Sequence, residues 1–509
     1  MRLAEVIGAL TLAADVSNGM AMEKTLRTVL VGTRLARLAG RDDRETANVY
    51  WVGALRAVGC LGFAPEQASF AAGDDNCLRQ SVAFADFSRP LTVLKQAARG
   101  FPPGTSLLSR ARGLVRFFHP SVMKRYAASH CESAMFFARS VGMPEEIAKA
   151  LDTSAERFDG KGLRKLGGDD LPWAARVSDV ADALELFAWT GGIDLARSVL
   201  LERSGRLLDP ALVTLAVKEL PNLILGFDAS VWDEYLTLEP EPRRESVADI
   251  DRACLALGRF GDLKSLFTLT HSGRVATIAD AAGRAAGLND EECNVLRRAA
   301  AVHDLGRVAV PTGTWDKRST LNAIEWQRVR SHSHQTDTIL RSAGLEQLAD
   351  LAGSTHERGR GSGYHRGVPL DNIPLLGKII AAADVLAALG ESRPHRPAFD
   401  DRHAVKELRA MVEQGALDAR AVQAVLEGRG VVPARKAAWP GGLSDREVEV
   451  VRLVAVGRTN KEIGALLGMS ARTAQKHVMN VYDKLGLESR AGLALYAMEH
   501  GLLDASPGT

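Results

Sequence analysis

Cysteine is scarce in this 509-residue chain: Cys60, Cys77, Cys131, Cys254 and Cys293 are odd in number, scattered, and contain no Cys-x-x-Cys pair. That usage argues against a disulfide framework and for reduced thiols in a cytoplasm, acting as core filler rather than as metal ligands. Long apolar runs are also missing, none approaching the roughly 20 residues that span a bilayer, so no membrane segment is expected. The start of the chain, MRLAEVIGALTLAADVSNG, is partly apolar, yet Glu5 interrupts it and Leu3, Val6, Ile7, Leu10 and Leu12 keep helical spacing. It reads as a helix, not a cleaved signal. Finally, the formal net charge is +2, which excludes a global basic coat. Any contact with nucleic acid must come from a local cluster.

What the chain does have is helical pattern. With 46% hydrophobic and 25% charged residues it is ordinary globular material, long enough for roughly two to four domains. Apolar spacings of three and four recur, strand-like alternation is rare, and Gly or Pro punctuates at helix-sized intervals, so an all-α protein is expected. Two stretches echo one another. Glu156-Arg157-Phe158-Asp159-Gly160-Lys161-Gly162, Asp170-Leu171-Pro172 and Ala181-Asp182-Ala183-Leu184 parallel Glu357-Arg358-Gly359-Arg360-Gly361-Ser362-Gly363, Asn372-Ile373-Pro374 and Ala383-Asp384-Val385-Leu386. Upstream, Leu55-Arg56-Ala57-Val58-Gly59 stands where the second copy has Val302-His303-Asp304-Leu305-Gly306. Proline-broken or Gly-rich linkers at 239–244 and 428–442 then divide the chain into domains over 1–228 and 245–428, a linker at 429–441, and a last domain at 442–509.

Eight of the 12 histidines (His271, His303, His332, His334, His356, His365, His395 and His403) fall between residues 271 and 403. Imidazoles with carboxylates bind divalent Mn, Fe, Co or Zn, and a bound ion lowers the pKa of its water enough for attack on phosphorus near neutral pH. His303-Asp304 closes an apolar helix, and an ionised Asp there is costly unless a metal or a cation meets it. The ordered text Asp262-Leu263-Lys264-Ser265, His271-Ser272-Gly273-Arg274, His303-Asp304-Leu305-Gly306, Glu325-Trp326, His332, His356-Glu357-Arg358, Gly361-Ser362-Gly363-Tyr364, Asp384 and Ser392-Arg393-Pro394 resembles the HD-GYP branch of the HD-domain metal-dependent phosphohydrolases. Characterised members of that branch hydrolyse cyclic di-GMP. The resemblance implies His271, His303, Asp304 and Asp384 as core metal ligands, with His332 and His356 extending the site toward a second ion. It casts Asp304 and Arg307 as catalytic, and Arg307, Arg358, Gly361, Gly363 and Tyr364 as ligand-binding. Both glycines read equally well as plain turn residues.

There are departures. Thr355 stands where the family pairs a histidine with His356, Arg307 replaces a lysine, Arg360 an aspartate, and His365 a proline. One ion is therefore expected, with a second left open. Of the ligand set the first copy keeps His130 and Asp182, too few to hold a catalytic ion, so it reads as a degenerate HD-like unit, structural or ligand-sensing.

Residues 442–505 have a different character. Ser444 and Glu447 form a capping-box pattern, Val448, Val451 and Val454 an apolar stripe, and Gly457 a stop. A short helix at 460–467 ending before Gly468, followed by a helix from Ala471 to Leu485, completes a helix-turn-helix. The text LSDREVEVVRLVAVGRTNKEIG, SARTAQKH and VYDKLGLESR resembles the LuxR-type helix-turn-helix. By that resemblance Asn460, Lys461, Arg472, Thr473, Gln475 and Lys476 meet phosphates or base edges of double-stranded DNA, with His477 and Arg490 near the backbone, and the module acts as a homodimer. Together the parts describe a cytoplasmic DNA-binding regulator that binds metal and senses a phosphorylated ligand such as a cyclic dinucleotide. A metal-dependent cyclic dinucleotide phosphodiesterase carrying a DNA-binding module is the alternative.

Overall fold

The computed structural model describes residues 1–240, 245–359, 361–429 and 439–503, and the architecture is all-α. Apart from two isolated bridges, Ser204 with Leu208 and Arg393 with Arg396, no strand pairing occurs among the described residues. No helix among them is long and apolar enough to cross a membrane. Arg360, residues 241–244 of the first linker and residues 430–438 of the second lie outside the described residues. The chain divides into two compact units, Met1–Ile250 and Asp251–Thr509.

In the first unit the helix Leu3–Ser17 is buried on nearly every side, as a helix apolar all round must be. Tyr50 stacks on Tyr235 at 5.1 Å between ring centres, Tyr235 donates its hydroxyl to the Ala4 carbonyl at 3.2 Å, and Arg2 pairs with Glu239. These contacts carry the first unit past residue 228 to at least Glu239, because the apolar face of the helix Trp232–Thr237 needs the first helix to cover it.

The second unit repeats the order of the first. Helices Lys24–Leu38 and Asp43–Arg56 correspond to His271–Ala285 and Asp290–Val302, with matching starts 247 residues apart (Lys24 and His271, Asp43 and Asp290). Farther along, Glu145–Leu151 and Trp173–Arg203 correspond to Glu346–Ala352 and Leu375–Leu389, offset by 201 and 202 residues. The change of offset marks an insertion in the first unit, and the echoing motifs carry the same change, 247 at Leu55 and Val302 but 201 at Glu156 and Glu357. The insertion is built of helices Ala64–Phe70, Asp75–Val82, Pro90–Arg99 and Leu107–Phe117, gathered around Phe63, Phe70, Leu78 and Phe117.

A pair of glycines fixes the correspondence in space. A Cβ on Gly306 would lie 2.0 Å from the His332 carbonyl oxygen and 2.4 Å from the Thr336 nitrogen; on Gly59 it would lie 2.3 Å from the His130 carbonyl oxygen. Gly306 thus does more than end a helix. It lets helix Ala323–Ser342 approach the His303-Asp304 turn, and its amide donates to the Thr336 hydroxyl at 2.9 Å.

The last four helices are Asp445–Ala455, Asn460–Leu466, Ala471–Leu485 and Arg490–Glu499. Ser444 and Glu447 form the expected capping box, Thr459 and Glu462 form a second one, and Gly486 closes the third helix in the left-handed conformation. Gly306→Ala is expected to lower the unfolding free energy by roughly 1–3 kcal/mol, the usual range for overpacking, in a denaturant titration. Wild-type stability would show that the close helix approach is not needed.

Candidate metal centre

Six ligand-type side chains converge from separate elements of the second unit. His271 opens helix His271–Ala285, His303 and Asp304 lie at the end of Asp290–Val302, His332 sits within Ala323–Ser342, His356 follows Glu346–Ala352, and Asp384 lies within Leu375–Leu389. All six are buried. They form two groups that could each hold an ion, His271, His303, Asp304 and Asp384 in one, and Asp304, His332 and His356 in the other.

Asp304 belongs to both groups and divides its oxygens between them. Its Oδ1 lies 2.9 Å from His332 Nε2 and 3.0 Å from His356 Nε2, while Oδ2 lies 3.1 Å from His303 Nε2 and 3.4 Å from His271 Nε2. Asp384 Oδ1 is 3.1 Å from His271 Nε2. The imidazoles are oriented from behind. His303 Nδ1 donates to the Ala300 carbonyl at 2.8 Å, His332 Nδ1 to the Val329 carbonyl, and His271 Nδ1 to Glu391 at 3.0 Å. Those bonds turn the Nε2 lone pairs inward, as metal-ligating histidines require.

The donor set fits a divalent transition metal. Nε2 of His332 and His356 face each other at 2.9 Å, and His303 Nε2 and Asp304 Oδ2 are buried without a hydrogen-bond partner among the described residues. Such an arrangement wants a cation between the atoms. Burial alone would raise the Asp304 carboxyl, but the Arg307 guanidinium and His303 hold it well below the usual carboxylate range. Burial also pushes His356 down to about 4, keeping that ring neutral and its lone pair available. Thr355, where a further imidazole was missing, is fully buried, and the three remaining donors still form the second group.

Arg307 forms an ion pair with Asp304, Nη2 to Oδ2 at 2.5 Å, and its Nε and Nη1 are buried without hydrogen-bond partners among the described residues. A planar fork with unmet donors beside a metal site is suited to a phosphate. Tyr364 stacks on His356 with ring centres 4.9 Å apart. Arg358, by contrast, spends Nη1 on the Thr355 and Glu357 carbonyls, both at 2.8 Å. The glycines serve the chain: Gly361 has φ of 77°, and a Cβ on Gly363 would come within 2.4 Å of Glu357 Cα.

Two contributors escaped the sequence. Glu391 orients His271 and accepts from Arg393 at 2.9 Å, and Arg330 donates to the Gly363 and Tyr364 carbonyls. An acid directly before Ser392-Arg393 was the available signal for the first, while the second had none. A third group, His334, Asp337 and His365, is no rival site, since Arg341 and Arg366 already occupy the Asp337 carboxylate at 3.0 and 2.6 Å.

In the helix-turn-helix, Lys461, Arg472, Thr473, Gln475, Lys476 and Asn480 are exposed, His477 is half-buried, and Ala474, Val478 and Val481 are buried against the bundle. Arg490 is a brace: its Nη1 donates to the Arg458 carbonyl at 2.9 Å, and its Nη2 reaches Asn460 Oδ1 at 3.5 Å. Those two residues are partly committed to the module itself.

Comparison with known proteins agrees with both halves. Residues 261–421 match the family described as HD domain, and residues 442–497 match bacterial regulatory proteins of the luxR family. The chain thus joins an HD domain to a LuxR-type helix-turn-helix. It is 27% identical over 406 residues to 3'3'-cGAMP-specific phosphodiesterase 3 of Vibrio cholerae serotype O1, covering 78% of this chain and 88% of that one. Over 61 residues it is 43% identical to the transcriptional regulatory protein MctR of Rhizobium johnstonii, 12% of this chain and 28% of that one. A crystal structure of a cyclic GMP-AMP specific phosphodiesterase of V. cholerae aligns with a TM-score of 0.56 and 23% identity, over 85% of this chain and 99% of that one, and shows a shared fold.

Glu391→Gln should weaken metal binding about 10- to 100-fold, the usual effect of losing a residue that orients a ligand, in competition with a chelator of known affinity. Unchanged affinity would mean that His271 needs no such support.

Proposed function

We propose that the second unit is a metal-dependent phosphodiesterase acting on a cyclic dinucleotide, and that the helix-turn-helix ties this chemistry to DNA. The observation that carries the reading is the shared Asp304, flanked by two ligand groups and by the unmet donors of Arg307. Divalent cations would be held by His271, His303, Asp304 and Asp384 and by Asp304, His332 and His356, and when bound would supply charge stabilisation at the phosphoryl oxygen and an activated water near neutral pH. The chain's own residues do the rest. Arg307 holds a non-bridging phosphate oxygen and stays protonated throughout, because a guanidinium does not give up its proton in a protein. Tyr364, stacked on His356, offers an aromatic face beside the phosphate for a base. Water adds across one P–O ester bond, leaving a phosphate monoester on one side and a hydroxyl on the other. The relatives named for 3'3'-cGAMP make a 3'3'-linked substrate the first choice.

A second reading, control of DNA binding by occupancy of this centre, has its own support. Helix Val247–Asp262 ends in a carboxylate that accepts from the Ser272 amide at 3.0 Å and from its hydroxyl at 2.8 Å, next to His271. One turn earlier on the same helix, Arg259 donates to the Met498 carbonyl at 3.3 Å, in the last helix of the DNA-binding module. A single helix therefore touches both sites. The module would bind double-stranded DNA as a dimer in the cytoplasm, with phosphate contacts giving affinity and Gln475 and Lys476 reading base edges.

Manganese- or iron-loaded protein incubated with 3'3'-cGAMP or cyclic di-GMP should yield the linear product, and His303→Ala should reduce the rate about 100-fold or more, since even orienting groups at metal sites carry up to that factor. Absence of turnover by metal-replete protein would overturn the hydrolase reading. DNA affinity unchanged by either nucleotide would overturn the regulatory one.

A further inference from the structure

The first unit encloses a cavity of about 460 Å³, within the range of small-molecule sites, at the place corresponding to the metal centre of the second. The repeat assigns its residues. Lys24 begins its helix as His271 does, Arg56 and Ala57 stand for His303 and Asp304, Ala155 for His356, and Asp182 for Asp384. His130 keeps the place of His332, as the matched contacts of Gly59 and Gly306 show. Lys24 pairs with Asp182, and Arg56 donates to Asp179 at 2.8 Å. Positive charges carried by the chain therefore take the role of the ion. No three-donor group occurs in this unit among the described residues.

These pairs do not exhaust the cavity's positive charge. Arg203 has no carboxylate within ion-pair distance among the described residues: Nη2 reaches the Phe84 and Ala85 carbonyls at 3.3 and 3.2 Å, and the guanidinium lies 4.8 Å from the Phe187 ring centre. Arg157 pairs with Asp159, yet its Nε is buried without a partner, as is Nδ1 of His130. Lys161 is exposed at the rim and has no ion pair among the described residues. Among the acids, burial pushes Asp15 up to about 7, so near neutral pH this carboxyl offsets the basic lining only in part. The remaining wall is apolar and aromatic, with Leu78, Phe87, Phe117, Met123 and Tyr126.

We infer that this cavity is a metal-independent binding site for a phosphorylated nucleoside, its phosphate met by Arg203, Arg157 and Lys161 and its base by the Phe117 and Tyr126 wall. Guanidinium donors left unmet in a buried site are the groups a phosphate satisfies, and an aromatic wall accepts a planar base. A ligand of this kind would bind without an ion, because the chain's own cations stand where the second unit gathers metal donors.

Titration calorimetry on the full chain in excess EDTA tests this with GMP, AMP and inorganic phosphate as probes. Saturable binding of GMP or AMP at one per chain is expected, at least tenfold tighter than phosphate alone, retained in Asp304→Ala, and weakened tenfold or more in Arg203→Gln and in Lys161→Glu. The exposed Lys161 keeps the test valid if the Arg203 variant does not fold. Binding of neither nucleotide at millimolar concentration, phosphate binding equally well, or loss of binding in Asp304→Ala but not in Lys161→Glu would each overturn the inference. The last would assign the nucleotide to the second unit. Failure of turnover there would leave this outcome unaffected.

Discussion

The Asp304 carboxylate is buried among four imidazoles and a guanidinium, and an ionised acid in that position is tolerated because the Arg307 cation and the imidazole nitrogens meet its oxygens. Each of its oxygens faces a different pair of histidines, so the geometry of the whole centre depends on where this one residue is held. Its position comes from the end of helix Asp290–Val302, and the close approach of helix Ala323–Ser342 over Gly306 brings His332 to it. Helix packing here sets coordination geometry. The buried hydrogen bonds behind His271, His303 and His332 convert that packing into a fixed direction for each lone pair.

The two units show one scaffold balanced in two ways. In the second, buried carboxylates are arranged so that a divalent cation can neutralise them. In the first, Lys24 and Arg56 do so from within the chain, and Asp182 remains as the counterpart of Asp384. Ammonium and guanidinium groups thus meet the carboxylates there without an ion. A largely apolar cavity remains there, and its lining carries more basic than acidic side chains.

Much of this was legible in the sequence because it rests on local order. The Ser444 capping box and the limits of helix Ala471–Leu485 are set by residues close in the chain, and the histidines and aspartates from His271 to Asp384 stood out by residue type and order, which the fold then gathers. Other features depend on partners far away in sequence and leave no local trace. Glu391 reaches His271 across 120 positions, Arg490 turns back to the Arg458 carbonyl, and Arg358 folds onto its own main chain. An arginine's position in a motif does not show which carbonyls lie within reach of its long side chain, so these main-chain contacts of Arg358 and Arg490 had no signal in the sequence. The insertion over residues 64–117 has no counterpart motif of its own, and only the unequal offsets of the motifs on either side of it signal its presence.

Division of one carboxylate between two ligand groups is the claim on which the chemistry rests, and anomalous scattering tests it most directly. In crystals of the full chain grown with manganese, data collected near the metal's absorption edge should show two peaks on either side of Asp304, roughly 3.5–4 Å apart as in two-metal hydrolases. One peak among His271, His303 and Asp384, with none between His332 and His356, would contradict the shared-carboxylate account.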